Sequence, residues 1–220
     1  MKRKLAALLV ALLSVSAVAT ATPQTQFNKG ELQVDLGAWD YQANISRGTG
    51  FFHTWDFAGG LTYGLSDKLA LQYQYWGLKN KTYDATDHTD LSGQQHEVNL
   101  LYSITPKIAA YVGYSRIHFA KDDVDGPRNS SDTQNVAQLG VIAKTPIAKN
   151  LDIYAKGAVG TCQTSLWEAG LGYSFTPDLD LSLGYRHLNT DRNTNQRSSA
   201  TFQGVVAMLS YRFGGPKVNR

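Results

Sequence analysis

The chain has 220 residues, with 21 Lys+Arg against 18 Asp+Glu, a single cysteine and a mean hydropathy of −0.30. Three of the bases sit in the first four residues, so 18 bases face 18 acids beyond them, and the sequence pI of about 8.9 gives no support for a nucleic-acid partner. Cys162 has no second cysteine to pair with and lies too far from the N-terminus to carry a lipid anchor, so an internal disulfide and a lipoprotein are both excluded.

The N-terminus places Lys2, Arg3 and Lys4 before an apolar run from Leu5 to Leu13, followed by SVSAVATATPQ. A basic start, a short apolar run and small residues at cleavage spacing read as a secretory signal peptide. Ala19-Thr20-Ala21 offers a cut before Thr22, with Ala17-Val18-Ala19 as a second choice. The expected organisation is a cleaved leader over 1–21 and a single domain over 22–220. Past the leader no apolar run is long enough for a transmembrane helix, so any membrane insertion must use strands.

Alternation of period two then recurs from about residue 31 to Phe213, with no long segment of helical spacing, which predicts an all-β chain. The first strand sets Leu32, Val34, Leu36 and Ala38 against Gln33, Asp35 and Gly37. The second sets Trp55, Phe57, Leu61 and Tyr63 against Asp56, Ala58, Gly60 and Thr62. The third offers Leu69, Leu71, Tyr73 and Tyr75 against Gln72 and Gln74, and the fourth Val98, Leu100, Tyr102 and Ile104 against Glu97, Asn99 and Ser103.

In the fifth, Ile108, Ala110, Val112 and Tyr114 form the apolar row, although the other row includes Tyr111 and Ile117. The sixth places Ala137, Leu139, Val141 and Ala143 opposite Gln138, Gly140 and Lys144. The seventh places Leu151, Ile153, Ala155 and Val159 opposite Asp152, Tyr154, Lys156 and Gly160. The eighth opposes Trp167, Ala169, Leu171, Tyr173 and Phe175 to Glu168, Gly170, Gly172 and Ser174. The ninth separates Leu179, Leu181, Leu183 and Tyr185 from Asp180, Ser182, Gly184 and Arg186. The tenth separates Val205, Ala207, Leu209, Tyr211 and Phe213 from Val206, Met208, Ser210 and Arg212.

Connectors alternate in length. Tight turns of Pro, Asp, Asn or Ser are expected at 65–68, 105–107, 145–150 and 176–179, and longer polar loops at about 42–52, 80–93, 120–134 and 189–201. TCQTS, 161–165, is short where a long loop is due. Short turns on one rim and long loops on the other, with an even strand count, predict an antiparallel up-and-down transmembrane barrel of about ten strands, eight being the alternative.

Aromatics decide which row meets lipid. Tyr63, Tyr102, Tyr173, Phe175, Tyr211 and Phe213 fall near the tight turns or the last strand's end, and Tyr75, Tyr114 and Tyr185 toward the long loops, giving two membrane-interface girdles. The opposite rows mix small residues with Asp35, Asp56, Glu97, Lys156, Glu168, Arg186 and Arg212, which are expected to face the lumen as a structural ion-pair and hydrogen-bond filling or, alternatively, to line a narrow aqueous path.

The leader, the alternating strands, the girdles and the closing VVAMLSYRF resemble the small bacterial outer-membrane β-barrel proteins. That resemblance covers nearly the whole mature chain. It implies residence in the outer membrane, contact with outer-membrane lipid, and recognition of the last strand by the barrel assembly machinery. In that family the terminal aromatic is commonly the final residue, whereas GGPKVNR follows Phe213 here.

Chemistry finds little purchase. YRHLNTDRNTN resembles the His-x-Ser-Asn stretch of the outer-membrane lipid A deacylases at His187 alone, because Asn189 stands where that family has its serine. Asp87, Asp90, Asp123 and Asp125 could hold a hard cation, but Lys121 occupies the first-ligand position of an EF-hand spacing. The histidines at 53, 88, 96, 118 and 187 are scattered, and Cys162 reads as an idle thiol. The expectation is a barrel without catalysis, cofactor or metal, in a structural, surface-binding or narrow-pore role. A secreted lipocalin-like ligand carrier is the alternative, and a lipid A-modifying esterase a remote one.

Overall fold

The computed structural model describes residues 23–45, 53–84, 87–123, 130–192 and 198–214. Its elements in chain order are β1 (Leu32–Ile45), β2 (His53–Gly64), β3 (Leu69–Gly77), β4 (Asn80–Asp84), β5 (Asp87–Thr105), β6 (Ile108–Asp123), β7 (Ser130–Ala148), β8 (Leu151–Gly160), β9 (Ser165–Ser174), β10 (Leu179–Arg192) and β11 (Ser198–Phe213). Chain neighbours pair antiparallel except β3 with β4, β11 returns to β1, and both β3 and β4 lie against β5. β3 and β4 are therefore one stave with a break, and the sheet closes as a ten-stave antiparallel barrel. Closure leaves no open sheet edge, which is the condition for crossing a membrane with strands.

The break at Leu78–Lys79 keeps its backbone groups satisfied. Leu78 N donates to Gly93 O at 2.8 Å, and Lys79 N donates to the Asp56 carboxylate at 2.9 Å. Trp39 Nε1 donates to Gly77 O at 2.9 Å, and the Tyr41 hydroxyl donates to Lys79 O. The Asp56 carboxylate occupies the space into which a side chain at Gly77 would project. Unpaired buried backbone groups are costly, so these four partners hold an irregularity in place that would otherwise open the wall.

Around the barrel, exposure alternates residue by residue. Leu36, Leu139 and Leu183 are 56%, 57% and 57% exposed on the outside, whereas Glu97 and Arg186 are fully buried. All ten predicted rows have this parity. Leu179 is the exception within its row, at 8% exposure. It starts β10, where Phe175 N and Thr176 N both bond to its carbonyl, and it lies opposite Tyr211.

Eight staves would have required β8 and β9 to merge. Instead they form a full hairpin, paired from Leu151↔Tyr173 to Val159↔Ser165. Cys162 and Gln163, at φ 56° and 50°, turn the chain in four residues, so a short connector suffices. The predicted long loops differ more. β4 and much of β5, β6, β7, β10 and β11 run through 80–84, 87–93, 120–123, 130–134, 189–192 and 198–201 as paired backbone, so most of these polar stretches are hairpins. Of the predicted loop regions only 46–52, 85–86, 124–129 and 193–197 lie outside the described residues, as do 1–22, which include the expected leader, and 215–220.

The segment before β1 crosses the mouth on the short-turn side. Thr25 Oγ1 donates to Pro106 O at 2.8 Å and Ser103 Oγ donates to Thr25 O at 2.7 Å, tying it to the β5–β6 turn. Phe27, 4% exposed, joins the interior apolar cluster.

Candidate functional site in the barrel lumen

Inward side chains meet both between neighbouring staves and across the barrel, between staves that share no backbone hydrogen bonds. Arg186 on β10 reaches Glu97 on β5 at 3.0 Å and Glu168 on β9 at 3.4 Å, and also donates to Gln95 at 3.2 Å. Its guanidinium carbon lies 3.8 Å from the centroid of the Trp76 ring. Lys156 on β8 approaches the other oxygen of Glu97 at 3.8 Å and donates to Gln74 on β3 at 2.8 Å. Two carboxylates and two cations thus share one buried centre with no net formal charge. Buried ions are tolerated when paired and hydrogen-bonded in this way.

Neutral partners extend the centre. Gln138 bridges Glu97 and Asn99 at 3.2 and 2.8 Å, and the Tyr154 hydroxyl donates to Glu168 at 2.9 Å. Toward the loop side, the buried rings of Trp39, Tyr41, Trp76 and Phe202 follow one another, with Trp39 and Tyr41 stacked at 4.4 Å. Toward the turns lies a second layer of pairs, Arg212 with Asp180 at 3.0 Å and Lys144 with Asp152 at 3.8 Å. A cavity of about 30 Å³ remains beside the centre, lined by Pro23, Asp35, Gln72, Lys156, Glu168 and Ser210 among others.

Of the seven charges expected in the lumen, Glu97, Lys156, Glu168 and Arg186 come together. Asp35 is buried apart from them, accepting from Ser210 and from Gln33. Arg212 belongs to the turn-side pair. Asp56 points inward but serves the β3–β4 break, not the ion-pair centre. The inner rows predicted from sequence include Tyr111 and Tyr154 but not the lumen rings Trp39, Tyr41, Trp76 and Phe202. Their parity was legible: Trp39 shares a face with Asp35, and Trp76 with Gln72.

The girdle residues Tyr63, Tyr102, Tyr114, Tyr173, Tyr185, Tyr211 and Phe213 are exposed on the outer wall, and Tyr75 and Phe175 are half-buried. His187 is also on that wall. Its ring stacks on Trp167 at 5.6 Å and its Nδ1 lies 3.2 Å from Gln203 Oε1, while Asn189 accepts from Thr201. Among the described residues no serine or carboxylate is placed against His187, whose partners are Gln203 and Trp167. Among the described residues no group of three or more His, Cys, Asp or Glu is placed to hold a metal. Asp125 and the side chains of Asp87, Asp90 and Asp123 lie outside the described residues.

The family model for the outer membrane protein beta-barrel domain matches residues 5–157. No curated protein is close enough in sequence to count as a relative. Among solved structures, the outer membrane protease OmpT from Escherichia coli aligns with a TM-score of 0.58 at 8% identity, covering 91% of this chain and 100% of its own. Neisserial surface protein A (NspA) aligns at 0.47 and 18% identity, covering 84% and 100%, and the attachment invasion locus protein Ail of Yersinia pestis at 0.45 and 11%, covering 84% and 99%. At these identities the OmpT likeness speaks to the fold alone. A secreted soluble carrier is set aside by the family match together with the apolar outer wall. The chain belongs to the outer-membrane β-barrel family and is a protein of the bacterial outer membrane.

Proposed function

We propose that the barrel is a closed, non-conducting scaffold without catalysis, which anchors the hairpins of its loop-side rim as a binding surface. The observation that carries this reading is Arg186, fully buried between Glu97 and Glu168 with Trp76 against its face, in a lumen crossed by paired side chains from β3, β5, β8, β9 and β10. Paired side chains that meet across a narrow barrel fill its interior rather than line a channel. Asp35, Glu97, Lys156, Glu168, Arg186 and Arg212 act on this reading as interior filling, and Asp56 as a wall support.

The outer apolar rows contact outer-membrane lipid, flanked by the two aromatic girdles. The last strand, ending at Phe213, is what the barrel assembly machinery reads. The leader is removed, and intact mass of the exported protein is expected to match a chain beginning at Thr22. Planar-bilayer recording tests the main reading. Silence is expected, whereas discrete steps that disappear on substitution of Lys156 or Arg186 would replace the scaffold with a narrow pore.

A further inference from the structure

We propose that the outer wall of β5, β6 and β7 binds the anionic phosphate headgroup of a membrane lipid, through Arg116, His96, His118 and Asn135. The register sets His96, Arg116 and Asn135 side by side, and Gln94, His118 and Thr133 side by side one outward position further from the membrane. All six are exposed or half-buried on the outer face. Directly beneath them on the same strands lie Val98, Tyr114 and Ala137, and then Leu100, Val112 and Leu139, the apolar wall that acyl chains would cover.

Charge distinguishes this face. From 94 to 104 on β5, 108 to 118 on β6 and 133 to 143 on β7, the outward residues include one guanidinium and two imidazoles and no carboxylate. Arg116 has no ion pair or hydrogen bond among the described residues, in contrast to Arg186 and Arg212, which are both paired inside. On the opposite wall the outward His53 lies 3.3 Å from Asp40, so that face is compensated.

Existing contacts orient the polar groups without consuming their donors. Tyr73 OH lies 2.7 Å from His96 Nδ1 and Thr133 Oγ1 lies 2.9 Å from His118 Nδ1, which leaves each Nε2 unpartnered among the described residues. Asn135 Oδ1 accepts from Tyr114, which leaves its amide hydrogens without a partner among the described residues. A planar guanidinium flanked by imidazole and amide groups matches the oxygens of a phosphate, and its place just above an apolar wall matches a lipid rather than a free ion.

The test uses the full-length barrel in detergent, exposed to dimyristoyl phosphatidic acid or dimyristoyl phosphatidylcholine, with retained lipid counted by native mass spectrometry. The wild type is expected to retain the phosphatidic acid preferentially. The preference should fall at least fivefold in Arg116→Gln, persist in Arg116→Lys, and be unchanged in His187→Gln on another face. Folding is checked for each variant by heat-modifiable migration. Equal retention of the two lipids by the wild type, or an undiminished preference in folded Arg116→Gln, would overturn the proposal. So would displacement of the lipid by inorganic phosphate at equal concentration, because binding would then owe nothing to the apolar wall.

Discussion

The guanidinium carbon of Arg186 lies over the Trp76 ring, 3.8 Å from its centroid, in the middle of a barrel whose outer wall is apolar. The cation is held there by Glu97, which Lys156 also approaches. Removing one member of a buried ion set leaves its partners charged and dry, a loss of about 3–5 kcal/mol. Glu97→Gln is therefore expected to destabilise the barrel by about that amount in urea unfolding from lipid vesicles. Adding Arg186→Met should recover part of the loss, because Lys156 and Glu168 then balance. Additive losses in the double variant would refute the coupling.

Tyr111 and Gly140 are register partners on β6 and β7, and a Cβ at 140 would come within 2.3–2.5 Å of three atoms of the Tyr111 ring. Overpacking of this kind costs about 1–3 kcal/mol. Gly140→Ala is expected to lower stability by that order alone. In a Tyr111→Ala background, which itself opens a cavity, the same substitution should be close to neutral.

Leu183 separates a lipid-facing wall from a wet one. On a water-exposed wall, Leu→Arg at a 57%-exposed position would change stability by about 0.5 kcal/mol or less, whereas a charge on the lipid face near mid-bilayer costs about 2–4 kcal/mol. Leu183→Arg is expected to fall in the second range in vesicle unfolding. The same substitution at Thr133, above the belt, should cost little.

Phe27 precedes the first strand yet is 4% exposed within the interior cluster. Truncating a buried phenylalanine costs about 3–5 kcal/mol. Phe27→Ala is expected to approach that loss and to raise hydrogen exchange in the β5–β6 turn, to which Thr25 is tied. A neutral Phe27→Ala would mean that the segment does not seal the mouth in solution.

The ten rows were legible because an apolar outer wall and a packed lumen impose opposite demands on alternate residues. The sequence from Leu32 to Ala38 already separates aliphatic positions from Gln33, Asp35 and Gly37. Where that contrast ends the signal ends too. Beyond the membrane both faces of a hairpin meet water, so the polar stretches at 80–84 and 130–134 looked like loops although their backbones pair. The break between β3 and β4 was unreadable for a related reason: Asp56, Trp39 and Tyr41 supply its hydrogen bonds from other staves.

By itself, then, the chain's alternation and turn residues determined an antiparallel outer-membrane barrel, its approximate stave number and the side each row faces. Which inward charges meet was decided only by closure. Glu97 and Arg186 stand 89 positions apart on staves that share no backbone hydrogen bonds, and period-two patterning carries no information about partners across a lumen. The same holds outside, where Arg116 comes beside His96 and Asn135 only because pairing register aligns three strands.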